Sequence, residues 1–314
     1  MAYKQKLIIL LSIIAALALT YTASLVFDPE TSGTRSASYV WLDSKAAARI
    51  TGITVSAQGE RWELNKASGQ WFVSYNGMEY PARQLRVDDF ISILTAREPY
   101  PVRSSDSSSH SRLGLGEDAA RVTAATGNGV VLDLLLGSAD STGRYIYLRK
   151  YGQNEVRLGE NKIGAYIMGS VSSWYNLKLI PESEDGRINA DSVQRVSVYS
   201  REETQFFSRR NREWIVSGVT VADPDQNSID SYIRSILNTE GDDFDDSLSA
   251  NDPAFNYSRI VLELGNGGVK TIRLTEPDES GRLFAHVSNS QYIYSVSNWA
   301  AARLFKTAAD FEKQ

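Results

Sequence analysis

Trp71-Phe72-Val73-Ser74 and Trp214-Ile215-Val216-Ser217 decide how this sequence reads, because the second follows the first by 143 residues and its surroundings follow with it. At the same shift Ile53-Thr54-Val55 falls on Val196-Ser197-Val198, Glu60 on Glu203, and Ile93-Leu94 on Ile236-Leu237. Farther along the shift is 138: Arg121-Val122 falls on Arg259-Ile260, Gly127-Asn128-Gly129 on Gly265-Asn266-Gly267, Gly143-Arg144 on Gly281-Arg282, and Gln153 on Gln291. A loss of five residues in the second copy, between helix and hairpin, accounts for the change. Single matches arise by chance, but a shared order of W-x-V-S, I-L, G-N-G and G-R reads as an internal duplication.

Each copy carries the same physical instructions. Ile53 to Ala57, Trp62 to Asn65 and Gln70 to Tyr75 have the alternation and the aromatic and β-branched content of an antiparallel meander, with a turn around Ala67-Ser68-Gly69. Val196 to Tyr199, Gln205 to Ser208 and Glu213 to Ser217 repeat it. An amphipathic helix follows, marked by Val87, Phe90, Ile91 and Leu94 in copy one and by Ile229, Tyr232, Ile233, Ile236 and Leu237 in copy two. Asn227 or Ser228 is placed to cap the second helix. Each G-N-G predicts a hairpin whose Asn-Gly supplies the positive φ angles of a tight primed turn. Arg144 to Lys150 and Glu155 to Leu158 then answer to Leu283 to Val287 and Tyr292 to Val296, and the copies close on helices near Ile163 to Trp174 and Trp299 to Phe311. The expected fold class is α+β, a tandem duplication of a mostly antiparallel β meander plus helix module. Module 1 takes residues 49–180, a charged linker 181–190, and module 2 residues 191–314.

Ahead of the modules, Leu7 to Phe27 contains no charge, and Lys4 and Lys6 precede it. As a helix the run spans about 31 Å, against ~30 Å for the hydrocarbon core of a bilayer. It predicts one N-terminal transmembrane helix at residues 7–27, with a cytoplasmic tail at 1–6 by the positive-inside rule and a polar stalk at 28–48. Everything after the anchor is then extracytoplasmic. A cleaved signal peptide is the rival reading, since Ala16-Leu17-Ala18 supplies a small-x-small site; the apolar run continues nine residues past it.

The 314 residues carry 38 acids and 33 bases, a net charge of -5, and no basic run long enough to neutralise a row of phosphates, which argues against a nucleic-acid partner. Cysteine is absent, so disulfides, thiolate metal sites and a cysteine nucleophile are excluded.

Asp106, Ser107, Ser108, Ser109 and His110 bring the residue types of a catalytic triad into one tract, but a triad needs members held by separate rigid elements, and a serine-rich loop is the plainer reading. His110 and His286 are the two histidines; Leu148 stands at the position of His286 in copy one. Glu240, Asp242, Asp243, Asp245 and Asp246 form an acidic cluster without calcium-loop spacing, and Asp223, Asp225 and Asn227 begin such a spacing that Ser228 and Arg234 then break. Solvation and helix capping account for both groups. Trp71 and Trp214, matched between copies, read as equivalent core residues rather than ligand platforms. No catalytic, cofactor-binding or metal-binding residue is assigned.

The order of features resembles the bacterial family DUF4340, a domain of unknown function. The residues that carry the likeness are the tryptophan strand and its helix, then Arg112-Leu113-Gly114-Leu115-Gly116-Glu117-Asp118-Ala119-Ala120-Arg121-Val122, the G-N-G, a Leu-Gly turn at Leu136-Gly137, and the strand Arg144 to Arg149. Ala119 stands where the family pattern has Pro, and copy two keeps Asp252-Pro253-Ala254 of that pattern. The resemblance covers about residues 49 to 300. It implies a single-pass membrane protein, often found beside a gliding-motility-type ABC transporter and its auxiliary subunit, and it carries over no catalytic residues.

The expected function is thus a non-enzymatic, extracytoplasmic accessory subunit of an ABC-transporter-type or other envelope complex, anchored in the cytoplasmic membrane by Leu7 to Phe27. Its expected partners are permease or auxiliary subunits. A solute- or glycan-binding module with a ligand between the two copies is the alternative.

Overall fold

The computed structural model describes residues 38–181 and 188–313. The expected membrane helix at 7–27 lies outside the described residues; among those described, no helix is long and apolar enough to cross a membrane. The chain divides into two compact units, Met1–Ser173 and Trp174–Gln314. Both are sheet-rich α+β structures in which every strand pairing is antiparallel.

In the first unit, β1 (Ser38–Tyr39) is followed by helix α1 (Ser44–Ala47), capped by the Asp43 carboxylate. The meander then runs through β2 (Ile50–Ala57), β3 (Glu60–Ala67), β4 (Gln70–Tyr75) and β5 (Met78–Pro81) into helix α2 (Gln84–Thr95). After β6 (Glu98–Pro99) and β7 (Val102–Ser104) come β8 (Ala120–Thr126), β9 (Gly129–Ala139), β10 (Tyr145–Lys150), β11 (Val156–Glu160) and helix α3 (Lys162–Ile167). Nine strands form one sheet in the order β5-β4-β3-β2-β8-β9-β10-β11-β7, and β1 pairs with β6 alone.

The alternation of side chains along each strand places one set inside. Ile53, Val55, Trp62, Leu64, Trp71, Val73, Val122 and Leu134 are buried, and Val87, Phe90 and Leu94 of α2 are buried with them, while Ile91 is half-buried. Residues 38–48, read from sequence as the end of a stalk, belong to the folded unit. Trp41 and Leu42 are core residues, and Trp41 meets Tyr39 and Tyr100 edge to face.

In the second unit the strands are β12 (Val193–Tyr199), β13 (Thr204–Arg210), β14 (Glu213–Ser217), β15 (Asp243–Asp245), β16 (Ser258–Leu264), β17 (Val269–Leu274), β18 (Leu283–Val287) and β19 (Ile293–Val296). They form a sheet in the order β14-β13-β12-β16-β17-β18-β19-β15. Strand by strand this is the order of the first sheet without β5. Helix α4 (Gln226–Leu237) buries Ile229, Tyr232, Ile233, Ile236 and Leu237, the five positions of the sequence pattern. Its cap is Asp225, whose carboxylate accepts from the amides of Asn227 and Ser228, rather than either of those residues. Helix α5 (Asn298–Leu304) packs on α4. Trp174 to Ile180 belongs to this unit, tied in by Leu179 N–H to Thr239 O and Gly241 N–H to Leu177 O.

Three expectations are corrected. The closing helices are shorter than read: each is a helix (α3, α5) followed by a separate 3-10 turn, Val171–Trp174 or Ala308–Phe311. In the G-N-G hairpins it is the second glycine that adopts positive φ, Gly129 at 117° and Gly267 at 82°, while neither asparagine does. Primed two-residue turns occur instead at Gln58-Gly59, Ser68-Gly69, Asn76-Gly77 and Asn211-Arg212, where both central residues are left-handed. Leu136-Gly137 is no turn but lies within β9. A β-carbon on Gly137 would collide with Leu113 O and the Leu115 side chain, so this glycine lets Leu113 to Leu115 lie directly on the strand. Leu115, Leu135 and Val156 form a small second core there, on the sheet face opposite the helix.

Candidate functional site

The matched tryptophans are held by the same device. In β4, the Trp71 N–H donates to Gln84 Oε1 at 2.9 Å, and Gln84 Nε2 donates back to Trp71 O at 3.0 Å. In β14, the Trp214 N–H donates to Gln226 Oε1 at 2.7 Å, and Gln226 Nε2 donates to Trp214 O at 3.0 Å. Gln84 and Gln226 are the first residues of α2 and α4, so one side chain locks helix to strand in each unit. A cation lies over each ring from the neighbouring strand: Lys66 Nζ is 5.5 Å from the Trp71 ring, and Arg209 Cζ 5.4 Å from that of Trp214. Both rings are 3% exposed, which makes them core residues of their own units and removes them as ligand platforms.

The serine tract Ser104 to Ser111 is internally bonded. Asp106 accepts from the Ser108 amide and hydroxyl, which holds its carboxyl below the usual range, and the Ser109 hydroxyl donates to Asp106 O at 2.7 Å. His110 Nε2 lies 3.0 Å from Asn154 O, so the ring is engaged with a main-chain carbonyl instead of a serine. Asp223 pairs with Lys313 at 2.9 Å, and Asp225 caps α4. Asp243 and Asp245 lie on the edge strand β15, each accepting from its own local backbone. Among the described residues, no three His, Asp or Glu side chains are grouped to hold a metal ion.

His286 is buried. It is 5% exposed, with Nδ1 2.9 Å from Arg273 Nη2 and Nε2 2.9 Å from Ser290 O. A guanidinium can only donate, so Nδ1 accepts and Nε2 carries the proton. Burial, reinforced by Arg273, pushes the imidazole below its ordinary value. Register also corrects the equivalence drawn with Leu148: His286 pairs with Arg273, as Arg149 pairs with Leu135 one residue after Leu148, because a bulge lies between Ile146 and Leu148.

Open clefts lie among the described residues of each unit. In the first unit, Thr54, Ser56, Arg61, Arg121 and Thr123 line about 240 Å³ on the sheet. Its arginines are answered by carboxylates: Arg121 makes a two-pronged pair with Asp133 at 2.8 and 2.6 Å, and Arg61 meets Glu63 at 2.8 Å. In the second unit, Asp191, Gln194, Arg209, Asn211 and Arg212 line about 410 Å³. Asp191 lies on the 3-10 turn Ala190–Ser192, Gln194 on β12, Arg209 near the end of β13, and Asn211-Arg212 is the turn into β14. The Arg209 guanidinium donates to Ala190 O and Asp191 O at 3.4 Å, which orients it. The sequence signal for this cleft is three arginines in four residues, Arg209-Arg210-Asn211-Arg212, with Arg212 falling on Gly69 at the shift of 143.

A family model described as "Domain of unknown function (DUF4340)" matches residues 71–254, more than half of the chain. No curated protein and no solved structure matches it.

Proposed function

The chain belongs to the DUF4340 family of domains of unknown function, and from that premise we propose that it is a non-enzymatic accessory subunit of an envelope complex of the ABC-transporter type. In this reading Leu7 to Phe27 anchors it in the cytoplasmic membrane, its N-terminus stays in the cytoplasm, and the two units stand outside. The units are tandem copies of one module, a reading supported by their common strand order and by the paired Trp-Gln locks. The observation that carries the anchoring is the uncharged run of bilayer length ahead of folded, β-rich structure. The transporter connection rests on the family resemblance.

The test is purification of the full chain from membranes in mild detergent. Permease or auxiliary subunits should co-purify in fixed proportion, and the protein should resist extraction from membranes by high salt or carbonate. Repeated recovery of the chain alone would overturn the accessory role. Release by carbonate, or a mature N-terminus at Leu19, would overturn the anchor.

A further inference from the structure

The turn beside the second-unit cleft differs from the matching turn of the first unit in a respect that costs stability. Asn211-Arg212 forms a two-residue turn with φ of 54° and 72°, whereas the corresponding Ser68-Gly69 has 50° and 85°. The second central position of such a turn favours glycine, because the β-carbon of any L-residue crowds its own backbone there. A strained residue beside an open cleft points to a role for its side chain. Arg212 is exposed, and among the described residues neither it nor Arg210 meets a carboxylate within ion-pair distance.

We propose that this cleft is an oxyanion site that takes a phosphate group. Arg209 forms the inner wall: its side chain is 18% exposed, held over Trp214 and fixed by Ala190 O and Asp191 O. Arg212, Gln194 and Asn211 complete the lining. Two guanidiniums against the single carboxylate of Asp191 leave the lining with one net positive charge. Asp191 is 81% exposed and 3.5 Å from Arg209, a screened pair that a better acceptor can displace. The paired oxygens of a phosphate accept from the planar N–H fork of a guanidinium, a geometry that chloride lacks. In the first unit, Lys66, Ser68 and Gly69 occupy the equivalent places, so the site belongs to the second unit alone.

The test uses the full chain in neutral detergent, with thermal unfolding followed as inorganic phosphate replaces chloride at constant ionic strength. Saturating phosphate should raise the midpoint by at least about 2 °C. Arg212→Gly should start from a higher midpoint, since the turn is relieved, yet lose more than half of the phosphate-dependent rise. Arg61→Gln, which removes a charge from the first-unit cleft, should retain the full rise. Absence of a rise in the wild type, an equal rise in Arg212→Gly, or an equal loss in Arg61→Gln would each overturn the site. Repeating the titration in micelles doped with phosphatidylglycerol identifies the source. An Arg212-dependent rise already present without added phosphate assigns the site to lipid headgroups, and a rise that still needs inorganic phosphate assigns it to a soluble ligand.

Discussion

The two units run their strands in one order, but they end their sheets differently. In the first, the eight residues after β4 turn at Asn76-Gly77 and return as β5, pairing Tyr80 with Val73 and Pro81 with Phe72. In the second, the equivalent stretch has Gly218 and Val219 in place of Asn-Gly, forms no strand, and leaves β14 outermost. Its last residues bond instead to the chain's C-terminal stretch, Asp225 N–H to Phe311 O and Lys313 N–H to Asp223 O. What both units keep is the lock between the tryptophan strand and the helix. What the pair teaches is that the lock and the far edge strand, β7 or β15, are common to both units, whereas a strand beyond the tryptophan strand is not.

The comparison breaks most visibly at the tryptophans. Trp71→Ala and Trp214→Ala should each cost about 3–5 kcal/mol in urea unfolding, and each loss should fall on the unit that carries the substitution. A loss much smaller at one of them would mean that the two rings are not equivalent.

A smaller effect should be asymmetric. Gly137→Ala drives a methyl group into Leu113 O and Leu115 and should cost about 1–3 kcal/mol. The position 138 residues on is Thr275, whose hydroxyl accepts from the Phe284 N–H, so Thr275→Ala should cost less. Equal losses in the same unfolding assay would remove the close approach as the reason for the glycine.

Gln84→Ala and Gln226→Ala should cost about 1–2 kcal/mol each, since both leave a tryptophan N–H and C=O without their side-chain partner. Matching values would sharpen the equivalence of the units. Arg212→Gly should stabilise the second unit by roughly 0.5–1 kcal/mol, the relief of a left-handed arginine less the added freedom of glycine when unfolded.

The last expectation is a pH dependence of the second unit. The folded-state value of His286 is lowered, so its contribution is fully present above the ordinary histidine value of about 6.5 and is lost as the pH falls below it. Stability measured from neutral to mildly acid pH should decline more steeply in the wild type than in His286→Gln, whose amide can serve both Arg273 and Ser290 without titrating. Parallel declines would acquit the histidine.

Much of this was legible in sequence. Alternation gave the meander strands, the i, i+3, i+4 pattern gave the buried face of α4, and the paired tryptophans were rightly placed in the core. The glutamine locks do not show at the shift that aligns the tryptophans, because Gln84 and Gln226 are 142 residues apart, one short of it. Edge strands of two to four residues such as β1, β5 and β7 are too short for periodicity to register. Turn type was misread at G-N-G because sequence gives no hairpin register, and register decided which residue takes positive φ. The second-unit cleft depends on Ala190 and Asp191 meeting Arg209, a long-range approach that local pattern does not encode.

Gln226 also has a consequence for self-association. An outermost strand with unpaired main-chain groups is a template on which a neighbouring molecule can add a strand and begin to aggregate. On β14 the outward pair at Trp214 is already engaged by Gln226, so an incoming strand must first evict a helix-borne side chain. The residue that fastens helix to sheet therefore also guards the open edge, and its loss would expose that edge as well as loosen the helix.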